Sequence, residues 1–367
     1  MVDAFALQAS VGLSATHVLM KPLIGVVMSD LPRYVASLAL GDWRVVRNRR
    51  ERLEMAPDGT GYRCDWQWTS DLHAPKVIPA LGRQLMRRAL TDHPMGHTDH
   101  LPHPDRAPQV SFLIGHRGMT RLPHLLATIR SIAAQQDAAV ECLVVEQDVV
   151  SQLGPRLPPW VRLVHTPPPA ADMPYCRSWT FNIGAQHARG AVLVLHDNDM
   201  LVPVDYAAQI LNRVSQGYDV VNLKRFIFYL TQAHTQAVFE GRVDLLDAAP
   251  EVIVQNLDGG GSVAITRAGY DEIGGLDESF VGWGGEDNEF WERAQTLRVW
   301  LWANLPLVHL WHAAQPGKRD AEYHTARHYR LLAEIDPQER IRRLKAVPQG
   351  NMAGPLGWPM IALFDQS

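Results

Sequence analysis

The sequence predicts an α/β fold in which a doubly wound, mostly parallel sheet is flanked by helices, with an additional N-terminal region before it. Two observations predict this fold. Short apolar runs alternate with helix-compatible segments from residue 109 onward. These runs hold few polar residues, which is typical of strands that a parallel sheet buries on both faces. Ligands of such sheets bind beyond the carboxyl ends of the strands, so the residues after each strand are the first candidates for function.

The predicted elements follow one another with short connections. Strands are expected at Val110–Ile114, Val140–Glu146, Val161–His165, Ala191–His196, Ser262–Thr266 and Pro306–His312. Helices are expected at Thr120–Gln136, Arg177–Ala188 and Val204–Gln216. This alternation, without an internal repeat, favours the doubly wound arrangement.

Composition excludes several classes of function. Of the 367 residues, 46% are hydrophobic and 20% charged, and the net charge of -4 gives no general attraction to nucleic acid. The three cysteines (Cys64, Cys142 and Cys176) are odd in number and widely spaced, with no CxxC motif. This argues against a disulfide framework or a zinc site and favours a reducing compartment, so we expect a cytoplasmic protein. The N-terminus lacks a signal-peptide pattern, and no apolar run reaches the roughly 20 residues of a membrane span.

The chain divides into four predicted regions. Residues 1–92 form an N-terminal region to which no motif assigns a role. Its arginine-rich stretch at 44–52 fits either a contact with phosphate or acidic lipid, or a solvated face paired with neighbouring acids. The first alternative leaves peripheral membrane contact open. Residues 93–108 are a linker rich in histidine and proline. The main domain spans 109–320, and a C-terminal helical tail spans 321–367.

A first acidic site follows the strand Ala191–His196. Asp197 and Asp199 leave this strand one residue apart, so both carboxylates can approach one cation. Oxygen ligands suit manganese or magnesium, which take substrate phosphates as further ligands. The strand at 306–312 carries two histidines that could complete the coordination, with His312 preferred over His309. The alternative is a polar turn that ends the strand.

A second acidic site follows a glycine-rich stretch. Gly282, Gly284 and Gly285 surround Trp283, which indicates a loop wrapped closely around a ring-shaped ligand. Glu286 and Asp287 then open a predicted helix. Acids in a first helical turn also complement the helix dipole, so taken alone the pair fits a structural role equally well.

Three motifs in this order make the sequence recognisable: Arg177–Gly184, His196–Asp199 and Gly282–Asp287. Together they resemble nucleotide-sugar glycosyltransferases of the Rossmann-related GT-A fold. The resemblance is to the β-galactosyltransferases, the chondroitin-polymerase-like enzymes and the polypeptide N-acetylgalactosaminyltransferases. It covers about residues 108–320, whereas the N-terminal region and the tail lie outside it.

The resemblance implies a role for each matching position. The implied substrate-binding residues, which would contact uridine diphosphate and the sugar, are Arg117, Glu146, Arg177, Asn182, Asp197, Trp283, Gly284 and Gly285. The implied metal ligands are Asp197, Asp199 and His312, with manganese or magnesium as the cofactor. Asp287 matches the catalytic base of inverting members, and Glu286 would bind a substrate hydroxyl.

The resemblance thus implies a metal-dependent inverting transferase that moves a galactose- or N-acetylhexosamine-type sugar from a uridine diphosphate donor to a carbohydrate acceptor. Inversion is favoured because Asp287 stands where the retaining N-acetylgalactosaminyltransferases carry asparagine, which cannot accept a proton at neutral pH. Two alternatives stay open. One is a nucleotidyltransferase on a similar sheet, and the other is a carbohydrate-binding module without catalysis.

Overall fold

The computed structural model describes residues 24–65, 71–101, 104–242, 244–255, 258–313 and 324–355. Its strands are β1 Leu53–Met55, β2 Tyr62–Cys64, β3 Val110–His116, β4 Val140–Glu146, β5 Arg162–His165, β6 Val192–His196, β7 Met200–Leu201, β8 Val220–Val221, β9 Lys224–Leu230, β10 Pro250–Gln255, β11 Ser262–Thr266, β12 Val299–Trp300 and β13 Leu305–His309. Its α-helices are α1 Leu31–Leu40, α2 His73–Val77, α3 Pro79–Asp92, α4 Leu122–Ala133, α5 Arg177–His187, α6 Tyr206–Ser215, α7 Gln232–Phe239, α8 Arg267–Glu272, α9 Glu286–Ala294, α10 His324–Ala333 and α11 Pro337–Lys345.

The largest sheet has seven strands in the order β12-β8-β11-β6-β3-β4-β5. Strands β5, β4, β3 and β6 run parallel, and β12 runs parallel to β8. Only β11 among these seven is reversed, since it pairs antiparallel with both β6 and β8. The prediction of a mostly parallel sheet is therefore confirmed.

Helices cover both faces of this sheet. On one face, α4 and α6 contribute Leu125, Ile129 and Ile210 to a buried cluster with the strands. On the other face, α5 and α9 contribute Phe181 and Phe290 to a second cluster. This two-sided cover explains why β3, β4 and β6 are buried at almost every position.

A second, four-stranded sheet has the order β10-β9-β13-β7. Strand β13 pairs parallel with β9 and antiparallel with β7, which directly follows Asp199 in the chain. Helix α3 of the N-terminal region packs on this sheet, where Leu85 and Met86 join Phe226 and Phe228 in one cluster. The sequence did not predict this sheet. The proposed domain boundaries at residues 92 and 108 stay predictions, and the one at 320 falls outside the described residues.

Element bounds agree closely with the sequence for β4 and β11, which begin and end where predicted. Helix α4 begins at Leu122, not at Thr120, because a 3-10 turn at Met119–Arg121 precedes it and Pro123 occupies its first turn. Strand β13 ends at His309, so the prediction that it extends to His312 was wrong. Among the described helices, none combines the length and apolar character that crossing a bilayer requires.

Candidate active site

Polar residues collect at the carboxyl-terminal edge of the seven-stranded sheet, where β3, β4 and β6 end at His116, Glu146 and His196. The segment Asp197–Asp199 follows β6 directly. The backbone of Asp199 then connects to the second sheet, because its carbonyl accepts a hydrogen bond from Leu310 N at 2.8 Å. This bond brings the end of β13, with its histidines, to the acidic segment.

Asp199, His309 and His312 form a cluster in which the nearest ligand atoms all lie within 4.8 Å of one another. Nε2 of His309 is 3.6 Å from Oδ1 of Asp199, and Nε2 of His312 is 3.4 Å from Oδ2. Tyr229 stacks on His309 with ring centroids 4.2 Å apart, which fixes the imidazole plane. One carboxylate and two imidazoles on a common centre could hold a divalent cation.

Asp199 also pairs with Arg121, whose Nη1 donates to Oδ2 at 3.0 Å. The carboxyl is 4% exposed, and burial alone would raise its pKa. Interactions with the neighbouring His309, Arg121 and His312 outweigh burial and hold the pKa of Asp199 below its usual value. The carboxylate therefore stays charged, as a metal ligand must be.

Arg177, the first residue of α5, joins the two acidic motifs. Its Nε and Nη2 donate to Oδ1 of Asp197 at 3.1 and 2.7 Å, and its Nη1 donates to Oδ1 of Asp287. Phe181 lies beneath the guanidinium at 4.6 Å, one helical turn along. Two distant parts of the chain thus meet at one edge of the sheet, with Asp197 and Asp287 each about one-third exposed. Asp197 faces Arg177, whereas Asp199 faces the histidines.

The acids Glu286 and Asp287 open α9, as predicted. Burial raises the pKa of Glu286 to about 7, and the neighbouring Asp287 carboxylate adds to the effect. Burial also raises the pKa of Asp287, although Arg177 opposes it. Oε2 of Glu286 is buried and has no hydrogen-bond partner among the described residues. The sequence-based role of Glu286 in binding a substrate hydroxyl stays a prediction, with this buried oxygen available for it.

The glycines around Trp283 adopt left-handed backbone conformations, with φ of 104° at Gly282, 96° at Gly284 and 91° at Gly285. Only glycine adopts them without strain, so this turn is specified by the sequence. Trp283 is 40% exposed. Thr325 of α10 donates to its carbonyl, so the C-terminal helices brace the loop, which no sequence motif indicated.

Asn182, a predicted substrate-binding residue, lies beneath this loop with 3% exposure. Its amide nitrogen donates to the carbonyl of Leu276 and to Oε1 of Glu278, both at 2.8 Å. Its oxygen accepts from Leu276 N at 2.9 Å. The side chain therefore fixes the segment that leads into the Trp283 turn, and direct contact with substrate stays a prediction.

Two further predicted residues engage other parts of the protein. Glu146 is fully buried, and its carboxylate accepts hydrogen bonds from Ser151 Oγ at 2.5 Å and Gln152 N at 2.7 Å. Arg117 donates to the carbonyl of Met173 at 2.5 Å. The roles of Glu146 and Arg117 in binding the nucleotide stay predictions. After β3, it is Arg121 that pairs with an acid of the site, Asp199.

Lys224 is a site residue that the sequence did not reveal. It is fully buried at the start of β9 and donates to the carbonyl of Asp258 at 3.0 Å and to that of Ser262. It thereby ties together the two ends of the glycine run 259–261. Burial lowers the pKa of its ammonium group to about 7, against the opposing charges of Asp258 and Asp287.

One comparison with known protein families concerns the second acidic motif. A family model of the N-terminal domain of galactosyltransferase matches residues 255–301. This segment is galactosyltransferase-like. It contains β11, the Trp283 loop and α9 with Asp287, so the match confirms the glycosyltransferase resemblance at the stretch that carries the candidate base. No curated protein sequence matches the chain significantly.

Solved structures of glycosyltransferases also resemble the chain. The catalytic domain of Drosophila β1,4-galactosyltransferase 7, in complex with xylobiose, is 17% identical with a TM-score of 0.37, over 65% of this chain and 82% of that one. GalNAc-T7 with UDP, GalNAc and Mn2+ is 15% identical with a TM-score of 0.47, over 64% of this chain and 50% of that one. Structural similarity at this level does not indicate which substrates this chain binds.

Proposed function

We propose that the chain is a metal-dependent inverting glycosyltransferase that uses a uridine diphosphate sugar of the galactose or N-acetylhexosamine type and a carbohydrate acceptor. One observation carries the proposal: the Arg177 guanidinium hydrogen-bonds both Asp197 and Asp287. It thereby brings a proton-accepting acid next to the segment that leads to the Asp199 cluster. Sugar transfer needs both parts, a charge-stabilising group for the leaving diphosphate and a base for the attacking hydroxyl.

The donor set supports manganese over magnesium. Magnesium prefers an all-oxygen octahedron and keeps its waters, whereas Asp199 is accompanied by two imidazoles, His309 and His312. When bound, the cation would neutralise charge on the diphosphate oxygens. Arg121, which pairs with Asp199 at 3.0 Å, would turn to the same diphosphate and share that role.

Asp287 is the base in this proposal, because its carboxylate is one-third exposed and lies at the N-terminus of α9 beside Trp283. Arg177 fixes its orientation, and its raised pKa makes it a better proton acceptor than an ordinary aspartate. Glu286 offers its unpartnered Oε2 to a substrate hydroxyl. The exposed Trp283 ring provides a flat apolar surface for a sugar.

The test is a panel of nucleotide sugars offered with carbohydrate acceptors, with and without Mn2+. We expect release of uridine diphosphate that requires both metal and acceptor, and a product with the anomeric configuration opposite to that of the donor. Release of pyrophosphate would instead identify a nucleotidyltransferase. Binding of saccharide without turnover of any donor would identify a binding module, and retention of configuration would refute Asp287 as the base.

A further inference from the structure

The first described helix has an unusual distribution of polarity. It comprises residues 24–40. A π-helical stretch at Val26–Asp30 lies within it and continues into α1. Its buried side carries polar Asp30 and Ser37 beside Val26 and Tyr34, which join a core cluster, and each of the four is at most 3% exposed. An ordinary surface helix exposes polar residues on its outer side, and this helix departs from that pattern.

The outward side of this helix is apolar at every exposed position that the structure describes. Its large members are Met28 at 73% exposure, Ile24 at 58%, Val35 at 56% and Val27 at 44%, and the others are proline and alanine. We call these residues the apolar helix face. Single exposed apolar side chains are ordinary, but a contiguous row along one helix marks a surface that another phase or molecule covers.

Arginines border the apolar helix face. The guanidinium of Arg49 lies against the backbone of Gly25, so close that a Cβ at that glycine would be 2.2 Å from Nη1. Arg33 on the helix donates to the carbonyl of Arg49 at 3.1 Å, and Arg50 follows on the surface. Neither Arg49 nor Arg50 forms a salt bridge with a described acidic residue. The border is therefore positive although the whole chain carries a net charge of -4.

We propose that the apolar helix face and its arginine border dock on the surface of an anionic phospholipid bilayer, with the helix lying in the plane of the membrane. Helices that bind this way insert an apolar side a few ångströms below the headgroups while basic residues contact the phosphates. Each arginine near such a surface strengthens binding by about fivefold at physiological salt. The proposal does not depend on the glycosyltransferase function.

Charge distinguishes the bilayer from a second copy of the chain as the occupant. In a two-fold dimer built on this face, the same patch meets itself, so the arginine borders of both copies would lie around one interface. Repulsion between like charges opposes that arrangement, whereas anionic headgroups complement it.

The experiment is co-sedimentation of the full chain with phosphatidylcholine vesicles, with and without phosphatidylglycerol. We expect binding that requires the anionic lipid and weakens as salt is raised. Met28→Asp and Val35→Asp should each lower the partition coefficient by about tenfold or more, and Arg49→Gln by about fivefold. Leu331→Asp is the matched control, because Leu331 is 70% exposed on α10 and should not affect binding.

Two outcomes would overturn the proposal. One is no binding of the wild-type chain to anionic vesicles at low salt, a measurement that needs no variant. The other is a dimer of the wild-type chain in sedimentation velocity, with Val35→Asp monomeric and no binding to vesicles. That result would make the apolar helix face an interface between copies. Circular dichroism of each variant checks that a loss of binding is not a loss of folding.

Discussion

Glu286→Gln is expected to stabilise the protein at high pH. The carboxyl is buried with an unpartnered Oε2, and its pKa in the folded chain is about 7 against an ordinary value of 4.5. Below pH 4.5 the Glu286 carboxyl is protonated in both the folded and the unfolded protein, so it does not lower the free energy of unfolding. Between about pH 4.5 and 7 the folded protein keeps a proton that the unfolded chain has already released, so stability falls across this range and the loss is complete above about pH 7.

The magnitude follows from the two pKa values. A raise from 4.5 to about 7 corresponds to roughly 3 kcal/mol of lost stability above pH 8, at 1.36 kcal/mol for each pH unit. Glutamine cannot ionise, so the variant avoids this loss. We therefore expect the free energy of unfolding of Glu286→Gln to match that of the wild type near pH 4.5 and to exceed it by up to about 3 kcal/mol at pH 8.

The assay is urea denaturation followed by tryptophan fluorescence across this pH range. Glu289→Gln is the matched control on the same helix. Glu289 is paired with buried Arg293 at 2.6 Å, so its loss should destabilise the protein at pH 8 by about 3–5 kcal/mol. A gain for Glu286→Gln that does not change with pH, or a loss resembling that of Glu289→Gln, would refute the reasoning.

Two further predictions concern the metal and the loop. Replacing His309 or His312 by alanine should weaken Mn2+ binding by more than about tenfold in calorimetry, because losing even an outer-shell partner of a metal lowers its affinity by 10–100-fold. Unchanged affinity would exclude the Asp199 cluster as the metal site. Gly284→Ala places a Cβ in open space but at φ of 96°, so it should cost about 1–2 kcal/mol of stability and also raise the KM for the donor. Gly59 likewise has a positive φ and open space around it, so Gly59→Ala should lower stability without changing the KM. Equal KM effects of the two glycine variants would contradict a role for the loop in binding.

The sequence predicted the parts of the fold that local pattern encodes. Strand β4 and strand β11 are apolar runs bounded by turn residues, and both were predicted to the residue. Strand β9 was missed because it opens with Lys224 and Arg225, which are both fully buried. The reversal of β11 and the pairing of β9 with β13 depend on contacts between distant segments, and no short pattern records them.

The site divides in the same way. Asp199, Asp287 and the histidines were recognisable because each follows or opens a strong local element. Arg121 and Lys224 carry no motif. Arg121 reaches Asp199 because β3 pairs with β6, and Lys224 reaches the site because the glycine run returns to β9. The sequence favoured His312 over His309 as the partner of Asp199, and the structure brings both histidines to it.

The central claim is that a metal-bound diphosphate and the Asp287 base share one cleft, and Asp287→Asn tests it most directly. Amide and carboxylate have nearly the same shape, so Mn2+-dependent binding of uridine diphosphate should stay within about twofold of the wild type while sugar transfer falls by 10²–10⁴-fold. Asp199→Asn should instead lose the metal-dependent binding. Transfer by Asp287→Asn at near wild-type rate would contradict the account.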